Sequence, residues 1–199
     1  SGNPVYDIGF ELTSISQKVV VSGNHISGHV AYYYFMFHKP KGMLSTMNDT
    51  NDRACIGDMI RENQLNVSPV GRLDRLTTGL MILTNDGELA HKLMHPKHHV
   101  KKTYNVTLDK VMIKQDYNRL IEGLILADGP VQCQKVELVA EKTVQVTLGE
   151  GRNRIVRRIF DHLGYDVQSL KRVAIGGVLL GDLASGKYKK LSPKQLKIL

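Results

Sequence analysis

A single carboxylate, Asp74, lies between two arginines, Arg72 and Arg75, in the segment GRLDRLTTG. Nearby cations favour the charged form of a carboxylate. An ionised carboxylate in such surroundings can act as a nucleophile or as a proton acceptor. The same pattern is also typical of an aspartate that caps a turn or makes a structural ion pair. The local sequence therefore makes Asp74 a candidate catalytic residue and leaves the structural interpretation open.

A second group of charges lies in the segment RNRIVRRIFDHLG, residues 152–164, for which we predict an amphipathic helix. Its apolar residues are Ile155, Val156, Ile159, Phe160 and Leu163. The spacing of Arg154, Arg157 and Arg158 predicts that they share the opposite face, where they can bind phosphates or supply a cation to a carboxylate. The alternative is a solvated face with Arg157 paired to Asp161. One acid cannot neutralise four arginines, so that alternative is incomplete.

Residues 95–106, HPKHHVKKTYNV, combine basic and aromatic side chains. Lys97, Lys101 and Lys102 precede Tyr104 in a segment that reads as a strand. Basic residues beside an aromatic ring suit contact with a nucleic-acid backbone together with stacking on a base. The histidines of this segment lack the carboxylate or cysteine spacing of a metal site, so we predict no bound metal.

A fourth feature is the segment KPKG, residues 39–42, which follows the aromatic strand-like run 32–37. Pro and Gly predict a tight turn. That turn would present Lys39 and Lys41 to a partner. A plain surface turn is the alternative interpretation.

The composition fits one domain with a buried core, since the chain has 199 residues and 42% of them are apolar. Lys and Arg exceed Asp and Glu by 27 − 19 = 8, and the pI is about 9.5. This excess favours an anionic partner such as nucleic acid, although an ordinary basic enzyme is the alternative. The two cysteines lack CxxC spacing, which argues against a disulfide framework and favours a reducing compartment. We therefore expect a cytoplasmic protein.

Several functional classes are disfavoured by motifs that the sequence lacks. No apolar run reaches the ~18 residues of a membrane helix, so we expect no membrane association. The first residues do not resemble a secretory signal. There is no GxxxxGK[ST] loop, no dinucleotide-binding glycine pattern, no GxSxG elbow and no HExxH motif. We therefore expect no nucleotide and no other cofactor.

Apolar periodicity predicts many strands with helices between them and no regular βαβ rhythm, which indicates an α+β fold. Strands are predicted at 32–37, 79–84, 101–108, 131–139, 143–148 and 166–178. Helices are predicted at 55–63, 88–94, 114–123, 152–164 and 192–199. The turn Asn85-Asp86-Gly87 favours a helix N-cap over a hairpin.

Taken in order, KPKG, GRLDRLTTGLMILTNDG, KKTYNV and GEGRNRIVRRIF resemble the successive motifs of the pseudouridine synthases, in the RsuA, RluB, RluE and RluF branch that acts on ribosomal RNA. The resemblance extends from about residue 32 to the C-terminus. Four motifs in the correct order outweigh the structural interpretation of Asp74. The segments NDGELAHKLMHP and LADGP are most similar to RluB-type enzymes of the large ribosomal subunit.

The resemblance implies a role for each matching residue. Asp74 resembles the single essential aspartate, and Arg72 resembles the arginine that enters the RNA stack where the target uridine leaves. Tyr104 resembles the tyrosine that stacks on the flipped base. Arg157 resembles the basic residue that pairs with the catalytic carboxylate, and Leu148 resembles an apolar residue under the base. The RNA contacts that the resemblance implies are Lys39, Arg75, Lys101, Lys102, Arg152, Arg154 and Arg158.

The reaction implied is the isomerisation of one uridine, which must first leave its stack. The C1′–N1 bond breaks, the uracil rotates and it rejoins through C5, without redox chemistry or energy input. Asp74 would attack the sugar or the base, or would abstract a sugar proton. We expect the target in 23S rRNA. The alternatives are a 16S rRNA enzyme of the RsuA type, a tRNA enzyme, and a non-catalytic ribosome assembly factor.

The fold implied by the family is a mixed, mostly antiparallel sheet bent around a central basic cleft and flanked by helices. Residues 31–199 would form the catalytic domain, with subdomains at about 31–100 and 101–199. Residues 1–30 would be an N-terminal segment, either the remnant of a small RNA-binding domain or a linker from one. We expect a monomer whose partner is ribosomal RNA.

Overall fold

The computed structural model describes residues 4–6, 19–22, 24–26 and 31–199. The chain divides into two compact units, residues 1–32 and 33–199. In the first unit, β1 (Val19–Val21) and β2 (Asn24–Ile26) form an antiparallel pair. Most of the N-terminal segment lies outside the described residues, so its origin in an RNA-binding domain stays a prediction.

The second unit is built on a single mixed sheet. Its strands are β3 (Tyr34–Lys39), β4 (Ser68–Val70), β5 (Thr78–Thr84), β6 (Lys102–Leu108), β9 (Lys135–Ala140), β10 (Thr143–Leu148), β11 (Val167–Ile175), β12 (Val178–Leu179) and β13 (Tyr188–Lys190). A separate hairpin contains β7 (Leu124–Leu126) and β8 (Gly129–Val131). The order is β13-β3-β5-β11-β6-β10-β9, with β4 on β5 and β12 on β11. Only β5 and β11 pair in parallel within this described sheet, so the mostly antiparallel α+β prediction is confirmed.

Five helices accompany the strands in the described part of the chain. They are α1 (Ile56–Glu62), α2 (Gly87–Met94), α3 (Lys114–Glu122), α4 (Ile155–His162) and α5 (Pro193–Lys197). Asp86 is the N-cap of α2, and its side chain accepts a hydrogen bond from the Leu89 amide, so the helix interpretation of this turn is confirmed. None of the described helices is both long and apolar enough to span a membrane.

The alternating side chains of β5 place a hydrophobic core on each face of the sheet. Met81 and Leu83 point into one core, which also contains the apolar residues of α1, α3 and α4. Leu80 and Ile82 point into the other, against α2 and α5. Because successive residues of a strand face opposite sides, a strand covered on both faces is apolar throughout. This burial fixes the position of β5 at its first residue, and with it the position of the loop that precedes β5.

Helix α4 is shorter than the predicted helix 152–164. It begins at Ile155, because its N-cap Arg154 has the left-handed backbone conformation, with φ of 49°. Arg152 and Arg154 therefore lie in the preceding loop, and the predicted single arginine face is wrong. The apolar face is confirmed, since Ile155 and Phe160 and the apolar residues between them are buried.

Candidate active site

A cavity of about 860 Å³ opens where the β4–β5 loop, the start of β6 and the segment before α4 meet. Asp74, Tyr104, Arg154 and Arg172 line it. Among the described residues of the lining, six arginines and one lysine accompany two aspartates. The volume is in the range of small-ligand pockets. The excess of cations suits an anionic ligand.

Ser45 holds the loop that carries Asp74. The Ser45 hydroxyl donates to the Leu73 carbonyl at 2.7 Å and accepts from the Leu73 amide at 3.0 Å. Leu73 is buried, and the Thr77 amide donates to the Asp74 carbonyl at 3.0 Å. Gly71 opens the loop with φ of 74°, a conformation that glycine adopts without strain. The Asp74 carboxylate is thereby presented to the cavity with its side chain 31% exposed.

The predicted RNA contact of Lys39 is wrong, because this lysine is fully buried. Its ammonium donates to the carbonyls of Thr77, Pro40 and Arg75 at 2.8, 3.1 and 3.3 Å. Burial lowers the pKa of Lys39 to about 8, and the charge of Asp74 opposes that shift. Lys39 therefore ties the KPKG turn to the underside of the Asp74 loop.

Gly79, the glycine of the Thr-Thr-Gly sequence, allows β5 and β11 to approach each other closely. A Cβ atom at Gly79 would lie 2.2 Å from the Arg172 carbonyl oxygen, and the φ of Gly79 is 110°. Gly79 and Arg172 are Cα partners in the parallel pairing of β5 with β11. A side chain here would force the strands apart. Gly79 therefore brings the Asp74 loop next to the strand that carries Arg172.

Three cavity side chains come from one face of the neighbouring strands. Lys102 and Tyr104 are two residues apart on β6, so they point to the same side of the sheet. Arg172 is the Cα partner of Tyr104 across the antiparallel β6–β11 pair. Directly opposed residues also share a face. Tyr104 thus lines the cavity together with Lys102 and Arg172, and its stacking on a base stays a prediction.

Arg154, rather than Arg157, makes the ion pair with Asp74. Its Nη1 atom lies 3.5 Å from Asp74 Oδ2. Arg157, in the first turn of α4, instead donates from Nη1 to the Val167 carbonyl at 3.2 Å. Burial and the charge of Arg154 lower the pKa of Arg157, whereas Asp74 raises it. Arg157 is therefore close enough to respond to Asp74, but the expected direct pairing is replaced by Arg154.

Arg152 and Arg158 are both engaged by Asp128, at the turn of the β7–β8 hairpin. Nη1 of each arginine faces Asp128 Oδ1, at 3.0 Å for Arg152 and 2.8 Å for Arg158. Arg152 also pairs with Glu150 through Nε. Hydrogen bonding to Arg158 lowers the pKa of Asp128. Arg152 and Arg158, both predicted to contact RNA, thus form ion pairs that hold the loop before α4.

The remaining predicted RNA contacts stay predictions. Arg72, Arg75 and Lys101 are exposed, and the first two line the cavity. Arg75 donates from Nε to the Gly42 carbonyl at 3.2 Å, which leaves the rest of its guanidinium accessible. Leu148, expected under the base, is fully buried in the core and is not part of the cavity lining.

Sequence reasoning missed three residues of this site: Arg172, Ser45 and Asp128. A signal for the first was present, since the alternation of Leu170, Arg172 and Ala174 in β11 puts an arginine at an inward position. Ser45 carried no such signal, because its partner is distant in the sequence. Among the described residues, no cluster of His, Cys, Asp or Glu is arranged to hold a metal ion.

Comparison with known proteins identifies the family of this chain. Residues 33–162 match the family model for RNA pseudouridylate synthase. An uncharacterized RNA pseudouridine synthase of Mycobacterium bovis is 41% identical over 98% of this chain and 80% of its own length. Ribosomal large subunit pseudouridine synthase B of Bacillus subtilis is 34% identical over 100% of this chain and 83% of its own. A pseudouridylate synthase crystal structure superposes with a TM-score of 0.79 at 31% identity, covering 94% of this chain and 82% of that one. The chain therefore belongs to the RNA pseudouridine synthase family and has the RNA-modifying activity of that family.

Proposed function

We propose that this enzyme converts one uridine of large-subunit ribosomal RNA to pseudouridine, with Asp74 as its catalytic carboxylate. The observation that carries the proposal is that Asp74 and Tyr104 line one cavity, with Arg154 paired to Asp74. The choice of substrate is supported by the relative named ribosomal large subunit pseudouridine synthase B, which matches the whole chain.

The target nucleotide must leave the RNA stack before its glycosidic bond can be reached. The cavity, at about 860 Å³, is large enough for one nucleotide. Tyr104 offers an aromatic surface there, and stacking on a base contributes about 1–3 kcal/mol. Arg72 is exposed and lines the same cavity, and we assign it to the gap that the uridine leaves in the stack.

The isomerisation conserves every atom of the nucleotide. The C1′–N1 bond breaks and its electron pair leaves with N1. The base then turns, C5 bonds to C1′, C5 loses its proton and N1 gains one. Asp74 supports this sequence by attacking C1′ or the base, or by removing a sugar proton from C2′. Each route needs an ionised carboxylate, and Arg154 supplies the counter-charge in the structure.

A basic surface continues from the cavity along α2 and the following turn. Residues 89–108 contain no Asp or Glu. The exposed cations of this surface are Lys92, Lys97 and Lys101. Met94 joins it to the cavity lining, and none of the three lysines has an ion pair among the described residues. Unpaired surface lysines suit RNA phosphates, which position a protein on its substrate.

Site-mapped pseudouridine formation tests the proposal. The wild-type chain and its Asp74→Asn variant are incubated without cofactor with protein-free 23S rRNA, 16S rRNA and tRNA. New pseudouridines are located by chemical adduct formation and primer extension. The substitution keeps the size of the side chain and removes the carboxylate. RNA affinity of both proteins is measured in parallel, and Asp182→Asn, at an exposed aspartate outside the cavity lining, is the control.

We expect one new site in 23S rRNA that is absent with Asp74→Asn, while RNA affinity is retained and Asp182→Asn behaves as wild type. A site in 16S rRNA or tRNA would overturn the substrate and keep the chemistry. Turnover by Asp74→Asn at the wild-type rate would overturn the catalytic assignment.

A further inference from the structure

Arg172 is a buried arginine with no part in the roles proposed for Asp74, Tyr104 and Arg154. Arg172 is only 4% exposed, and its Nε donates to the Leu80 carbonyl at 2.7 Å. Its Nη2 atom is buried and has no hydrogen-bond partner in the described part of the protein. A buried donor without a partner is destabilising. Arg172 is one of the residues that line the cavity, so a ligand that enters the cavity deeply is a source of an acceptor for this atom.

Lys102 also lines the cavity, on the strand next to the one that carries Arg172. Its ammonium donates to the Val100 carbonyl at 3.2 Å. Burial lowers the pKa of Lys102, and the positive charge of Arg172 lowers it further. Within the described chain, neither cation has an ion pair with a carboxylate. Two cations in one partly buried cavity are unfavourable unless an anion joins them.

Tyr104 lies between these two cations. Lys102 precedes it by two residues on β6, and Arg172 is opposite it on β11. A planar base stacked on the Tyr104 ring would therefore present its edges to both side chains. The deep position of Arg172 favours the base as its ligand over the phosphate backbone. Exposed cations such as Arg75, which lines the cavity, are the better ligands for phosphates.

We propose that Arg172 and Lys102 bind the oxygens of the uracil ring while the base is detached from the ribose. This inference rests on the proposed isomerisation of uridine. When the C1′–N1 bond breaks, the electron pair stays on N1 and its charge spreads to O2 and O4. Fixed donors aimed at such oxygens stabilise the developing charge more than the neutral base. When C5 bonds to C1′, the charge is withdrawn from both oxygens and the ring returns to its neutral form.

The experiment measures the single-turnover rate at saturating enzyme and, separately, the RNA dissociation constant and its salt dependence. The variants are Lys102→Gln, Lys102→Arg, Arg172→Gln and Arg172→Lys. Thermal unfolding of each variant reports whether the fold survives. Lys142→Gln is the control, because Lys142 lies far from the cavity. Its carbonyl accepts from the amide of Leu108, the last residue of β6. Leu108 is about 20 Å from Lys102 by strand rise.

We expect Lys102→Gln and Arg172→Gln to lower the saturating rate by about 10²-fold, the usual effect of removing one such donor. The dissociation constant and salt slope should change little, and the cation-retaining variants should recover most of the rate. An unchanged rate with weaker binding and a salt slope reduced by about one would mean a phosphate contact and overturn the proposal. Full rates in all folded variants would also overturn it. A wild-type chain that modifies no RNA would remove the proposed function and this inference together.

Discussion

The guanidinium of Arg154 lies 3.5 Å from the carboxylate of Asp74, although the two residues are 154 − 74 = 80 positions apart in the chain. Arg154 reaches this position from a left-handed backbone conformation, with φ of 49°. Such a conformation in a non-glycine residue costs energy and is concentrated at functional sites. The pair is therefore held by its surroundings, and its contribution can be measured.

We predict that Arg154→Gln lowers the saturating rate by about fivefold, because a half-exposed ion pair contributes about 1 kcal/mol. The side chain of Arg154 is 52% exposed, which sets this modest scale. Single-turnover kinetics on the mapped target RNA measure the effect, and Arg154→Lys should restore part of the rate. A loss above 10³-fold would show instead that Arg154 touches the reacting nucleotide.

The buried ammonium of Lys39 predicts how the stability of the protein depends on pH. Its folded pKa of about 8 is below the ordinary value of ~10.4. Between these values the unfolded chain binds more protons than the folded one, so this group makes stability rise with pH. Below pH ~8 the cost of burying the charge is fully present. Between pH 8 and 10, the free energy of unfolding of wild type should therefore rise relative to that of Lys39→Met.

Urea unfolding at pH 7, 8, 9 and 10 measures that difference. Lys41→Met is the matched control, since Lys41 is exposed in the same turn. A gap between wild type and Lys39→Met that stays constant over this range would contradict the assignment of a depressed pKa to Lys39.

Asp128→Asn should loosen the loop that carries Arg154. The substitution removes the charge that Arg152 and Arg158 share. We expect faster amide hydrogen exchange in residues 149–154 and a several-fold lower turnover, with only a small loss of global stability because the ion pairs are exposed. Asp182→Asn, at an exposed aspartate, should change neither quantity. Unaltered exchange in the loop would mean that the ion network does not hold it.

The basic surface beside the cavity predicts a salt effect. If Lys97 and Lys101 bind phosphates, the double variant Lys97→Gln/Lys101→Gln should weaken RNA binding. It should also reduce the slope of log affinity against log salt by roughly one unit for each phosphate that is no longer neutralised. Filter binding at several salt concentrations measures the slope. Lys142→Gln is the control, and a slope equal to that of wild type in the double variant would exclude these lysines from the interface.

Features that depend on local pattern were predictable from the sequence. The apolar run at 79–84 predicted a buried strand, and β5 spans Thr78–Thr84. The N-cap role of Asp86 was also predictable, because capping depends on residues three positions apart. The order of motifs indicated the family, since each motif is short and specific.

Features that depend on tertiary contact were not predictable. Lys39 reads as a surface lysine, and only the carbonyls of Arg75 and Thr77, which fold over it, make it buried. The start of α4 was missed for a similar reason. Its helical periodicity extends back to Arg152, but the ion pairs of Arg152 with Asp128 and Glu150 hold that residue in a loop.

The parallel pairing of β5 with β11 has a consequence for the folding of the enzyme. Thr78 and Gly79 meet Lys171 and Arg172, more than ninety positions later in the chain. Contacts between such distant segments form slowly, because a long loop must close first. During synthesis, Asp74 and Tyr104 are made long before β11 can join them. Catalytic competence should therefore emerge late and in one step, as the last central strand docks.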